Sequence, residues 1–150
     1  MRREDRATSR EEALNLLERA VYGVLSTASK NGVPYGVPVH FCLVGDCVYF
    51  HCAVEGRKIE NLSQNKRVSF CVVGEVEVLP DSFSTKYESV IVDGEVEEVF
   101  EGEKEAALEA LVHKYASGFV KKGREYIKNS WDEVRVFKIK ISTLSGKARK

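Results

Sequence analysis

The chain has 150 residues, enough for one domain with a single buried core and too few for two ordinary ones. Its apolar share of 43% and charged share of 31% exclude extended disorder. The 23 Lys and Arg balance 23 Asp and Glu, which excludes a general binder of nucleic acid or acidic membranes and turns the search toward one local basic patch.

The first segment, Met1-Arg2-Arg3-Glu4-Asp5-Arg6, is charged and does not have the form of a secretory signal. No apolar run approaches membrane-spanning length, so the expected location is the cytoplasm. Ser9-Arg10-Glu11-Glu12 fits a capping box, and Leu14, Leu17, Ala20 and Val21 follow at helical spacing, so a helix is expected from about Arg10 to Ala20. Val21 to Ala28 is rich in strand formers, and Lys30-Asn31-Gly32 supplies a tight turn into a second strand, Val33 to Val44.

Gly45-Asp46 separates that strand from Cys47–Ala53 and sets a hairpin register. Val44 falls opposite Cys47, Cys42 opposite Tyr49, and His40 opposite His51. The alternate pairs, Leu43 with Val48, Phe41 with Phe50 and Val39 with Cys52, are apolar and are expected to face the core. The His40 and His51 face is mixed, and is expected to line a site or an interface.

A short helix is expected from about Arg57 to Gln64, then strands from Arg67 to Leu79 and Tyr87 to Phe100, joined through Pro80-Asp81-Ser82. Ala107, Leu108, Leu111, Val112 and Tyr115 make one stripe of an amphipathic helix over Glu101 to Tyr115. Gly118 to Ser130 reads as irregular with a helical turn, Val134 to Ile141 as a half-buried strand, and Gly146 to Lys150 as a solvated basic tail. Consecutive hairpins with few helices point to a single mainly β domain over residues 1–150, an antiparallel barrel with helices outside it. Neither a G-x-G-x-x-G nor a G-x-x-x-x-G-K-[ST] motif is present.

The four cysteines, Cys42, Cys47, Cys52 and Cys71, form no C-x-x-C pair and read as free thiols packed in strands. The main local anomaly is Glu55-Gly56-Arg57-Lys58-Ile59-Glu60-Asn61, where two cations open a helix whose dipole is already positive there. Either an anion resolves the conflict, with Gly56, the helix N–H groups, Arg57 and Lys58 as its cradle, or both side chains point into water. His51 lies just upstream. With His40 it lacks a third metal ligand, so no metal site is expected; the pair either lines a pocket beside a bound anion or is structural. No G-x-S-x-G elbow exists, so in an enzyme of this sequence a bound cofactor carries the chemistry.

Gly23-Val24-Leu25-Ser26-Thr27, Asn31-Gly32-Val33-Pro34-Tyr35-Gly36-Val37-Pro38-Val39, and Tyr49-Phe50-His51-Cys52-Ala53 running into Gly56-Arg57-Lys58-Ile59-Glu60-Asn61 together resemble the flavin mononucleotide (FMN)-binding split barrel, the superfamily of pyridoxamine 5'-phosphate oxidase. Ser69-Phe70-Cys71-Val72-Val73-Gly74, the run Thr85 to Gly94 and the closing Gly146-Lys147-Ala148-Arg149 are similar to the branch of 5-nitroimidazole resistance proteins. The resemblance implies a homodimer of six-stranded antiparallel split barrels with flanking helices and FMN at the subunit interface. It further implies that Val37, Pro38, Val39 and His40 run along the flavin ring, that Phe50, His51 and Cys52 pass the ribityl chain, and that Arg57 and Lys58 hold the phosphate, with Asn61 one helical turn on. Ser89 would offer a polar side chain, though a shorter one than the oxidase's glutamine, and Trp131 or Tyr126 would cover the ring from the second subunit or lie in the dimer core. The chain ends differently from the oxidase, so vitamin B6 oxidation is not implied.

The implied activity is transfer of electrons from a reduced nicotinamide through FMN to a small electrophile such as a nitroimidazole, with His40 or His51 as catalytic residues that position substrate or donate a proton. The alternatives are a flavin- or haem-binding storage or sensor protein, and a dimer with a vestigial pocket. No nucleic acid or membrane partner is expected.

Overall fold

In the computed structural model, which describes residues 1–150, the Ser9 hydroxyl accepts the Glu12 N–H at 3.1 Å and the Glu12 carboxylate accepts the Ser9 N–H at 2.9 Å. This reciprocal cap starts α1 (Arg10–Arg19), which buries Ala13, Leu16 and Leu17. The next strands are β1 (Gly23–Ala28) and β2 (Pro34–Val39), joined through Gly32 at φ +81°, and β3 (Cys42–Val44) and β4 (Cys47–Cys52), joined through Gly45 at φ +60°. After α2 (Arg57–Gln64) come the long strands β5 (Arg67–Leu79) and β6 (Ser84–Val99), the helices α3 (Glu101–Tyr115) and α4 (Val120–Asn129), and β7 (Arg135–Arg149).

All seven strands form one antiparallel sheet in the order β2-β1-β5-β6-β7-β4-β3. The expected second strand is therefore divided. Its first half pairs with β1 and its second with β4, at opposite edges of the sheet. A flat sheet would hold those edges roughly 29 Å apart at ~4.8 Å per strand. Only His40 and Phe41 link them, a span of roughly 11 Å at most at ~3.8 Å per Cα step. The sheet must curl until its edges nearly meet, which makes it a split barrel.

The hairpin register holds at Val44 with Cys47, Leu43 with Val48 and Cys42 with Tyr49, and stops there. His40 is not the strand partner of His51, nor Phe41 of Phe50, because the chain has left β4's edge to join β1 by then. The expected inward face survives: Val39, Phe41, Val48, Phe50 and Cys52 are buried. They join Leu17, Leu25, Phe70, Val72, Val92 and Ile139 in the core inside the curl. A second cluster lies on the sheet's outer face, where Ala107, Leu108 and Leu111 of α3 cover Cys42, Val99 and Val136.

Two segments differ from the sequence expectation. Gly118 to Ser130 contains a full helix, α4, packed on α3 so closely that a Cβ on Gly123 would lie 2.6 Å from Val112 Cγ1. The basic tail is not solvated: β7 continues to Arg149, with Ser89 opposite Lys147 and Tyr87 opposite Arg149. Its alternation is broken by a register shift at Asp93/Gly94, so no single period marks the whole strand.

At that shift the backbones of β6 and β7 approach so closely that a Cβ on Gly94 would meet the Lys140 carbonyl oxygen at 2.2 Å. Gly94→Ala is expected to cost about 1–3 kcal/mol, seen as a lower urea midpoint with an unchanged denaturant slope.

Candidate functional site

Gly56 caps α2 at φ +134° without a side-chain hydrogen bond, and the first backbone bond of the helix runs from Glu60 N–H to Gly56 O at 3.0 Å. The N–H groups of Arg57, Lys58 and Ile59 therefore have no partner within the helix. A Cβ at residue 56 would touch nothing within 4 Å, so the glycine is required there by backbone conformation rather than by crowding. Neither Arg57 nor Lys58 pairs with a carboxylate. The Arg57 guanidinium instead lies 4.3 Å from the centre of the Tyr35 ring on β2. Open N–H groups, a positive dipole end and two unpaired cations fit a phosphate group.

Asn61, one turn further on the same side of the helix, is buried against the sheet. Its amide donates to the Thr27 hydroxyl at 2.9 Å, and so fastens α2 to β1. Gln64 adds a second tie by accepting the Lys30 N–H at 3.2 Å. The orientation of the cationic turn thus depends on a buried polar contact with the barrel.

His40 and His51 meet without being strand partners. Both line a cavity of about 450 Å³ between the outer face of the sheet and the α3–α4 pair, together with Cys52, Leu111, Val112 and Ile127. The His40 ring stacks on Tyr115 with centroids 4.2 Å apart and planes 16° apart. The Tyr115 hydroxyl donates to Val21 O at 2.6 Å, lies 3.0 Å from Phe41 O, and accepts the Phe41 N–H at 3.1 Å. One side chain of α3 thereby fixes the link between β2 and β3.

Though His51 keeps part of its surface exposed, partial desolvation by the protein beside it holds its pKa below the usual imidazole value, with smaller contributions from His40 and the Lys58 charge. Burial pushes the Cys52 thiol up, against the opposing pull of Lys58 and Arg135. Lys58 therefore acts electrically on the cavity mouth. Cys42, buried under α3, is raised to about 11 and is an inert packing group.

The other expected site residues are distributed differently. Val37 and Val39 point toward the barrel interior and Pro38 outward on β2, while Phe50 is wholly buried in the core. Ser89 lies in a separate groove beside α1. The Trp131 ring lies under Lys104 at 4.3 Å, and the Lys104 ammonium also donates to the carbonyls of Trp131 and Val134, both at 2.8 Å. Within one chain neither Ser89 nor Trp131 reaches the cavity of the histidines. Of the two aromatics expected to cover a ring, Tyr126 lines the cavity of the histidines; Tyr115, Ile127 and Ser130 of that lining were not expected as site residues. Tyr115 was visible only as one more member of an apolar stripe.

A curled antiparallel sheet whose two edges are joined by a two-residue link, with helices on its outer face, defines a split-barrel protein. The family model described as pyridoxamine 5'-phosphate oxidase matches residues 9–148, and the chain belongs to that family. A search of curated proteins gives no match. Among solved structures, the FAD and haem binding protein of Mycobacterium smegmatis has a TM-score of 0.84 at 23% identity, over 98% of this chain and 74% of that one. A candidate 5-nitroimidazole antibiotic resistance protein from Bacteroides thetaiotaomicron has a TM-score of 0.74 at 22% identity, over 95% and 86%. An FAD-binding protein from Mesorhizobium loti has a TM-score of 0.68 at 25% identity, over 97% and 98%.

The depressed His51 pKa has a consequence for stability. The unfolded chain takes up a proton near pH 6.5 and the folded chain only at lower pH, so the contribution of neutral His51 is full above 6.5 and is lost as pH falls below it. Melting temperatures followed from about pH 7.5 to 5.5 are expected to fall more steeply for the native chain than for His51→Gln.

Proposed function

We propose that this protein binds FMN and passes electrons from a reduced nicotinamide to a small electrophile of the nitroimidazole kind. The observation that carries the flavin reading is the uncapped, cationic start of α2 beside His51, which suits a phosphate attached to a larger group. Arg57, Lys58 and the first-turn N–H groups hold the phosphate. The backbone of Val37, Pro38 and Val39 meets the polar edge of the ring, and Phe50, His51 and Cys52 follow the ribityl chain, with Asn61 supporting the cradle from beneath through Thr27. When bound, FMN supplies a two-electron carrier. His51 and His40 are the catalytic candidates, since they are the imidazoles at the cavity where a substrate would meet the ring. Their role is to orient the electrophile and hand over a proton.

The functional unit in this reading is a homodimer with its flavin sites between subunits, to which Ser89 and Trp131 of either chain contribute. Its support is the uncovered apolar surface of the single chain: Val73, Val76 and Val78 are 58%, 56% and 68% exposed on β5, and Phe83 is 98% exposed at the hairpin tip. Sedimentation equilibrium is expected to give twice the chain mass, and Val76→Lys with Val78→Lys to shift it toward the monomer.

A second reading, haem binding, is favoured by a neutral imidazole facing an apolar cavity. The visible spectrum of the purified protein separates the two, since two flavin bands support the first reading and a Soret band rejects it. Lys58→Ala is expected to remove a charge-assisted contact of about 1.5–3 kcal/mol, weakening FMN roughly 10- to 150-fold in a fluorescence titration. Gly56→Ala should also weaken it by straining the helix start. Unchanged affinity in both variants would sink the phosphate assignment.

A further inference from the structure

We propose that the cavity between the sheet and the α3–α4 pair is a chamber for an uncharged ring compound, distinct from the place of the cofactor; this rests on the flavin reading above for its mouth and adds the class of occupant. The cavity, about 450 Å³, is of the size that takes a small organic molecule. One wall is the end of β4 with His51 and Cys52, and the other is the mainly apolar surface of Leu111, Val112 and Ile127, with Tyr126 and Ser130 beside them.

Charge decides what can enter. No Lys or Arg lines the cavity, and its one acidic group is Glu133. Lys114 of α3 is turned away, with its ammonium 3.8 Å from the centre of the Phe41 ring, buried and without an acceptor. An anionic ligand inside would meet Glu133 and no cation of the lining, with Lys58 acting only from the mouth. A cationic one would lose its hydration against aliphatic walls with only an exposed carboxylate in return. The cations of α2 lie outside this lining and are committed to the phosphate in the reading above.

Shape is set at two places. Tyr115 covers one face of the His40 ring, and the exposed remainder of His40 offers a flat surface on which a planar ring can continue the stack. Because the Tyr115 hydroxyl is already occupied by Val21 and Phe41, only its ring is available to a ligand. On the far side, the contact of Gly123 with Val112 holds α4 directly against α3 and so limits the depth. His51, uncharged near neutral pH, remains as a group that can donate or accept one hydrogen bond. A planar, neutral molecule with a single polar edge satisfies all of these surfaces.

The test is a calorimetric titration of the native chain, with and without FMN, using indole as a neutral ring, indole-3-acetate as its anionic counterpart and tryptamine as its cationic one. The expected result is saturable indole binding in both states, with both charged probes at least about tenfold weaker. Ile127→Phe, which fills the helical side of the cavity, should weaken indole by a similar factor with FMN affinity unchanged. Absence of saturable indole binding, or equal binding of all three probes, overturns the proposal. Competition between indole and FMN also overturns it, because the cavity would then hold the cofactor's ring, while the flavin reading would stand. A chain that takes no FMN but binds indole selectively would fail the flavin reading and keep the chamber.

Discussion

The structure depends most on the two residues that link β2 to β3. His40 and Phe41 join the opposite edges of a seven-stranded sheet, and a link that short forces the sheet to close on itself. Both backbone polar groups of Phe41 would be left without ladder partners at this point, and the Tyr115 hydroxyl satisfies the N–H and lies against the carbonyl. The same ring stacks on His40. Barrel closure, the position of α3 and the orientation of a candidate catalytic imidazole are therefore coupled through one side chain.

The outer face of the sheet is organised by ion pairs as well as by packing. Glu103, in the first turn of α3, accepts from the Tyr49 hydroxyl at 2.9 Å and from Lys138 at 2.7 Å. Exposed pairs of this kind contribute little to stability, and the seat of α3 is set mainly by Ala107, Leu108 and Leu111 packed on the sheet. Leu108 and Leu111 also reach the cavity, beside Val112 and Tyr115. α4 then covers the remaining side, tied at its end by Lys104 to the carbonyls of Trp131 and Val134.

The two ends of the candidate site differ in chemistry for a physical reason. At α2 the chain presents open N–H groups and unpaired cations, a combination that suits an anion. At the cavity the walls are aliphatic and His51 is held uncharged, so the favourable occupant is neutral. Lys58 connects the two, because its charge is among the causes that depress the His51 pKa.

Much of this was legible in residue patterns. The capping box at Ser9, the alternation of β4, the turn at Gly45-Asp46 and the misplaced cations at Arg57 and Lys58 are all local signals, and each appears in the structure where the pattern put it. The break at His40 was not legible, because apolar and β-branched residues continue on both sides of it from Val37 to Val44, and Pro34, Gly36 and Pro38 mark an edge strand without showing that the two halves pair with different neighbours. The length of β7 was hidden for a related reason, since pairing with β6 rather than alternation carries it to Arg149. Helix α4 has a polar sequence that becomes helical because α3 gives it a surface at Val112. Local sequence thus determined α1, α2, α3, most of the strands and the cationic turn at Arg57 and Lys58. Tertiary structure alone decided the curl, the meeting of His40 with His51 and the inward-facing role of Asn61, because each depends on contacts between segments far apart in the chain.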